Sequence, residues 1–277
     1  MTRNDKNSQT MKYMGQIEAR QLIFDLFARR AGREFDLPIL VHAGRPFGIS
    51  EAAFRTALTR LKREGRVENL RRGRYRLVKL PAALLQRVLE WREVPKRRRP
   101  WSGAWVVAIS TPSARVDRTI WRRSLRAFAL EGLRNFDSDV FARPDNLKGG
   151  ASGVRARLGE LGVPGSVLIG SLHDLDEAVT RRWIGSWNAK AIEAEHLETA
   201  KQLTQSRRRL AQRSDEAAAA ETLLLGRKAV RAILEDPLLP NELCPGEALQ
   251  QLVDVMSDYD SFGRSVWDAF LQSLRRD

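Results

Sequence analysis

Apolar residues recur along this chain with two different spacings. Over 17–30, Ile17, Leu22, Ile23, Leu26 and Phe27 return every three or four positions, the period of an amphipathic helix, and Gly32 supplies a stop. Asp36 and Pro38 suit the start of a second, short helix ending at Gly44. Arg45-Pro-Phe-Gly-Ile49 reads as a turn. Ser50 then caps a third helix that runs to Glu64 and closes on Gly65. Its apolar residues Phe54, Ala57, Leu58 and Leu61 fall at i, i+3, i+4 and i+7, one stripe able to pack on the first two helices. After Gly65 the period shortens to two. Arg66–Leu70 and Arg74–Val78 read as strands around Arg71-Arg72-Gly73. Three helices followed by a basic hairpin is the order of a winged helix-turn-helix, expected over 16–80.

Further along, 84–91 can form one more helix, and Pro95-Lys-Arg-Arg-Arg-Pro100 cannot. Residues 81–100 are therefore read as a helix and basic linker. From 101 to 175 the elements run strand (104–109), helix (116–130), strands (133–136 and 139–142), helix (154–161) and strand (166–170). That order predicts a ferredoxin-like α/β sandwich, and the class is α+β. Gly149-Gly-Ala-Ser-Gly153 matches no phosphate-loop pattern and reads as a flexible loop. From 176 to 277 helical segments at 186–212, 215–235, 246–257 and 260–275 surround the proline-rich stretch 236–246. This C-terminal region is expected to serve dimerisation and effector response, and the residues that would hold an effector are unknown.

Charge changes the picture. The chain carries 48 Lys/Arg against 34 Asp/Glu, a net +14, and a field of that sign attracts polyanions. Between Glu18 and Lys79 there are 15 Lys/Arg and 7 Asp/Glu, so +8 of the excess sits in a short segment. At about 100° per residue, Ala52, Arg55, Thr56, Thr59 and Arg63 lie opposite the apolar stripe of the third helix. Arginine there can pair bidentately with guanine, and threonine can bond a base edge or touch a thymine methyl. Arg60 and Lys62 on the flanks suit phosphates. Arg71, Arg72 and Arg74 at the hairpin tip suit phosphates or a narrow minor groove. The expected DNA-binding set is Ser50, Arg55, Thr56, Thr59, Arg60, Lys62, Arg63, Arg71, Arg72 and Arg74. One basic amphipathic helix alone is a solvated face; its place between a helix-turn and a basic hairpin is what favours duplex DNA.

Other chemistry finds little support. No apolar stretch reaches the roughly 18–20 residues of a membrane span. The polar stretch 1–15 lacks the apolar segment of a secretory signal, which fits a cytoplasmic protein. Cys244 is the single cysteine, so no internal disulfide or cysteine-built metal site is expected. His42, His173 and His196 are too far apart for a ligand motif, and no catalytic residue, metal or cofactor is assigned. A ferredoxin-like nuclease is a rival reading. It needs an acid at the end of the first central strand, yet Ser110-Thr-Pro-Ser follows, with no acid before Asp117. Trp101, Trp105 and Trp121 could line an acyl-CoA pocket with Arg122 and Arg123, or could pack the sheet on its helix. Trp183 and Trp187, at i and i+4, suit packing against another helix.

Three regions of the chain carry a resemblance. Ala19-Arg-Gln-Leu-Ile-Phe-Asp-Leu26, Phe47-Gly-Ile-Ser-Glu-Ala-Ala-Phe-Arg-Thr-Ala-Leu-Thr-Arg-Leu61 and Glu64-Gly-Arg-Val67 resemble the N-terminal domain of PaaX-like regulators, the phenylacetic-acid-degradation repressor family. Trp101-Ser-Gly-Ala-Trp105 is similar to the start of the family's central domain. Asp236-Pro-Leu-Leu-Pro-Asn-Glu-Leu-Cys-Pro-Gly246 is similar to its C-terminal proline element. The resemblance implies a homodimeric repressor on a palindromic operator, with Arg55, Thr59 and Arg60 in its recognition helix. It also implies release by a coenzyme A thioester of an aromatic acid, typically phenylacetyl-CoA. The alternative is a DNA-binding architectural or regulatory protein with no small effector.

Overall fold

A computed structural model describes residues 17–28, 34–78 and 82–273. The expected stop at Gly32 and the polar stretch 1–15 lie outside the described residues. The chain is mixed helix and sheet, an α+β arrangement with two small antiparallel sheets. It gathers into two compact units. One holds Met1–Leu85, Gln202–Lys228 and Ser257–Asp277; the other holds Gln86–Lys201 and Ala229–Met256. The contiguous boundaries read from the sequence differ from these units, because segments of the C-terminal helices pack with the N-terminal residues.

In the first unit α1 (Ala19–Ala28), α2 (Leu37–Gly44) and α3 (Glu51–Arg63) precede β2 (Val67–Arg71) and β3 (Arg74–Leu77). Ser50 is extended, and its hydroxyl accepts from the Ala53 amide at 3.2 Å, satisfying one of the free donors that open α3. At the other end the chain reverses through Gly65, whose φ of +65° favours glycine. Phe54, Leu58 and Leu61 of α3 are sealed against Leu22 and Ile23 of α1 and Leu40 of α2. The same core takes in Ala219, Leu223, Trp267, Phe270 and Leu271 from the C-terminal helices.

The hairpin has a third strand. β1 (Glu34–Asp36) pairs antiparallel with β3, giving the order β1-β3-β2. Three residues are too few to display a period of two, so Asp36 reads only as a helix start. It does occupy the N-cap position of α2, but in extended backbone and with no side-chain cap bond.

The second unit begins within α4 (Ala82–Leu89), at Gln86, and carries the larger sheet. The run is β4 (Trp105–Ser110), α5 (Arg118–Leu130), β5 (Arg134–Asp137), β6 (Val140–Pro144), α6 (Gly150–Glu160) and β7 (Val167–Leu172). The strand order is β5-β6-β4-β7, with every neighbouring pair antiparallel. Successive side chains point to opposite faces. Phe141 meets Phe128 of α5 on one face, with centroids 4.7 Å apart. Trp105 meets Trp183 and Trp187 on the other, at 5.0 and 6.2 Å. Trp183 lies in α7 (Glu177–Ile184) and Trp187 follows it, so this pair packs on the sheet, not on another helix as expected.

Two further expectations are corrected. Gly150–Gly153 is the first turn of α6, not a loop. The helices expected at 246–257 and 260–275 are one continuous helix, α10 (Glu247–Ser273), which follows α8 (Ala189–Arg209) and α9 (Glu216–Leu234). No helix of the described residues is long and apolar enough to cross a membrane.

Candidate nucleic-acid interface

With its apolar stripe sealed, α3 leaves the rest of its circumference in solvent. Arg55, Thr56, Thr59, Arg60, Lys62 and Arg63 are all exposed. Arg55 is laid along the helix against Glu51 one turn earlier, with Nε donating to Oε1 at 2.8 Å. Both side chains are more than half exposed, at 62% and 53%, so this i,i+4 pair is worth a few tenths of a kcal/mol. A partner on the solvent side can replace it. Thr59 donates its hydroxyl to the Arg55 carbonyl at 2.9 Å, which leaves its methyl and an oxygen lone pair available. Arg60, Lys62 and Arg63 form no ion pair among the described residues, and their charges are unspent. Ser50 is committed to the helix cap, and its place in the expected set is structural.

Arg72 and Gly73 make the tip between β2 and β3, where Gly73 has φ +79° and Arg71 faces Arg74 across the strands. Arg71 and Arg72 are exposed and form no ion pair among the described residues. Arg74 behaves otherwise. Its guanidinium lies 2.6 Å from Glu34 of β1 and 4.0 Å from Asp36, clasping the extra strand. The cationic tip is therefore two arginines, not three.

Sequence reasoning missed a group that links the end of α3 to α1. Glu64, just past the helix, accepts from both Nη atoms of Arg20 in α1, at 2.7 and 2.8 Å, and lies 3.2 Å from Arg66. Hydrogen bonding to Arg20 holds its carboxyl below the usual range. The two residues are 44 positions apart, and no local pattern joins them.

The remaining candidates separate. His42 is a core residue, stacked on Phe270 at 4.4 Å with Nε2 3.2 Å from the Phe270 carbonyl. His173 is exposed, and His196 pairs with Asp236. Among the described residues no group of His, Cys, Asp or Glu could hold a metal ion. Trp101 packs edge-on against Trp105, whereas Trp121 lies by Phe128 and Phe141 on the opposite face of the sheet. The three tryptophans do not line one pocket.

Residues 18–81 match the PaaX-like protein family. The resemblance read from the first stretches of sequence is borne out over that segment. The PaaX-like segment holds α1 to β3, and with them Arg55, Thr59, Arg60, Arg71 and Arg72. Among solved structures, the chain is similar to the uncharacterized protein Rv0674 from Mycobacterium tuberculosis. That likeness has a TM-score of 0.57 at 25% identity and covers 91% of this chain and 98% of the other. No curated protein matches the chain.

Proposed function

We propose that this chain is a transcription regulator whose PaaX-like segment binds duplex DNA as a winged helix-turn-helix. In this reading α3 enters the major groove. Arg55, Thr56 and Thr59 meet base edges, and Arg60, Lys62 and Arg63 meet phosphates. Arg71 and Arg72 at the β2–β3 tip clamp the adjacent backbone. The observation that carries the reading is the exposed face of α3. A helix whose apolar side is fully sealed presents four basic side chains outward, and three of them have no acidic partner among the described residues.

Around that element the reading follows the resemblance. The strand order β5-β6-β4-β7, with α5 and α6 as the crossing helices, supports a ferredoxin-like central sandwich. The protein is read as a homodimeric repressor on a palindromic operator, released by an aryl-CoA thioester, and not as an enzyme. Release requires the thioester to favour the conformation that cannot hold DNA.

The test is a binding titration of the full chain against the DNA upstream of its own gene and a scrambled competitor. It is run at several salt concentrations, with and without phenylacetyl-CoA. Selective binding that the thioester weakens is the expected result. Selective binding indifferent to it removes the effector and keeps the regulator. Equal affinity for both DNAs at every salt concentration overturns the operator-specific reading in favour of an architectural DNA-binding protein.

A further inference from the structure

The second unit buries an unbalanced group of charges. Glu131, at the end of α5, is completely sealed, and three guanidinium groups converge on it. Arg87 of α4 bonds Oε1. Arg97, ahead of β4, reaches both oxygens at 3.1 and 3.3 Å. Arg157 of α6 donates through Nε to Oε2 at 2.9 Å. A fourth, Arg143 of β6, is fully buried behind them. It donates only to neutral acceptors: the Glu131, Pro144 and Leu238 carbonyls and the Asn146 side chain. The other acids of the unit's interior have cations of their own. Asp145 pairs with Arg99, and Asp236 with Arg98 and His196.

Buried charge is tolerated where it is matched. Here one carboxylate faces three guanidinium groups, and a carboxylate offers about four lone-pair sites to some fifteen N–H donors. One consequence is visible at Arg157, whose Nη2 is sealed from solvent with no hydrogen-bond partner. Another is electrostatic: burial, with Arg157 and Arg87 beside it, pushes the Arg97 guanidinium below its ordinary pKa. The side chains of Arg87, Arg97 and Arg157 are 14, 27 and 23% exposed, so part of each reaches solvent while Glu131 does not.

We infer that Arg87, Arg97 and Arg157 form a phosphoryl-binding site, with Glu131 as the buried strut that holds the three guanidinium groups together. Charge selects the ligand class. The three partly exposed cations less one anion leave +2, and buried Arg143 adds to that excess, so a dianionic phosphate matches it better than a single carboxylate does. Geometry agrees, because guanidinium groups pair bidentately with phosphate oxygens. The phosphoryl group can be free or part of a larger ester. The site does not depend on the DNA-binding reading, and its test needs no DNA.

Full-length protein is titrated calorimetrically in chloride at fixed ionic strength, with inorganic phosphate in one arm and adenosine diphosphate in the other. Saturable one-to-one binding that Arg157→Met weakens at least tenfold is expected. Saturation by phosphate identifies a free oxyanion; saturation by the diphosphate alone identifies an ester. Glu131→Gln, which takes away the strut's charge, is expected to weaken binding, and circular dichroism at the titration temperature reports that the variant is folded. A measurement without substitution accompanies these. Phenylglyoxal labels arginines, and the saturating ligand is expected to slow labelling of Arg97 and Arg157 but not of exposed Arg118. Absence of saturable binding overturns the site. So does labelling that ignores the ligand, or binding that survives Arg157→Met and is lost when Arg71 and Arg72 become Ala.

Discussion

At the residue scale, the Glu51–Arg55 ion pair is what a base must displace at the candidate interface. The Glu51–Arg55 pair is exposed and weak, whereas a bidentate arginine–guanine contact is worth about 1–3 kcal/mol. A guanine in reach of Arg55 is expected to win that exchange. Arg55→Ala is expected to cost about 1–3 kcal/mol at one operator position while other positions hold, measured by titrating single-base operator variants. Glu51→Gln, which removes a negative charge from the groove side, is expected to raise affinity modestly for all sequences alike. Glu131 sets a different kind of expectation. Burial alone would raise its pKa, but Arg97, Arg87 and Arg157 outweigh that and hold it below the ordinary 4.5. A carboxyl depressed in the folded state stabilises above its unfolded pKa, and that stability is lost as pH falls through the folded value. Glu131→Gln is accordingly expected to lower stability by about 3 kcal/mol at pH 7 and to flatten the loss below about pH 4.5. Urea midpoints taken from pH 7 to pH 3 measure both. Asp236, raised by burial, has the opposite sign, and it cancels when the variant is compared with the parent.

At the scale of elements, α2 and α3 meet through a glycine. A Cβ at Gly44 would lie 2.4 Å from Phe54 Cε2 and 3.2 Å from Ile49 Cβ. Gly44→Ala is expected to push Phe54 out of its fit and destabilise the unit by about 1–3 kcal/mol, read from urea unfolding. Phe54 was legible in the sequence, because a sealed stripe imposes a period of 3.6. The glycine's role was not, since close approach leaves no local signal. The same contrast runs through the fold. The turn at Gly73 and the cap at Ser50 are local chemistry, and both were readable. β1 is held by Arg74 pairing with Glu34, 40 positions away in the chain, and was not. The glycines before Val154 read as loop because they break helix propensity. Yet a Cβ at Gly153 would lie 3.0 Å from Arg157 Nη1 and 3.1 Å from the Lys148 carbonyl, so crowding accounts for that glycine. The sequence reading parted α10 at 258–259. There Tyr259 is buried and shares a 2.8 Å hydrogen bond with Ser206, and Asp260 bonds Arg264, so the polar groups are satisfied inside the helix packing.

At the scale of the whole molecule, charge governs binding and C-terminal segments complete both cores. Each lost phosphate contact lowers the salt slope by about 0.9, so Arg72→Ala is expected to flatten log K against log salt by about 1 while leaving base preference intact. The candidate site was legible as far as α3 and the tip were local patterns; Glu64 and Arg74 required the folded chain. Trp267 illustrates the longer reach. It sits in the core of the first unit with Leu22 and Phe54, although more than 200 residues separate them. Trp267→Ala is expected to cost about 3–5 kcal/mol and to reduce DNA affinity in step with the loss of folded protein, followed by circular dichroism alongside the titration. In the second unit, Leu238 accepts from both Arg143 and Asn146, which ties the 236–246 stretch to the larger sheet. The order of synthesis gives this arrangement a meaning. Residues 17–78 are made before the segments 202–228 and 257–273 that share their unit, so that core cannot close until those later segments have left the ribosome. A nascent chain thus carries its basic helix through some 200 residues of synthesis without the tryptophan that packs in the same core.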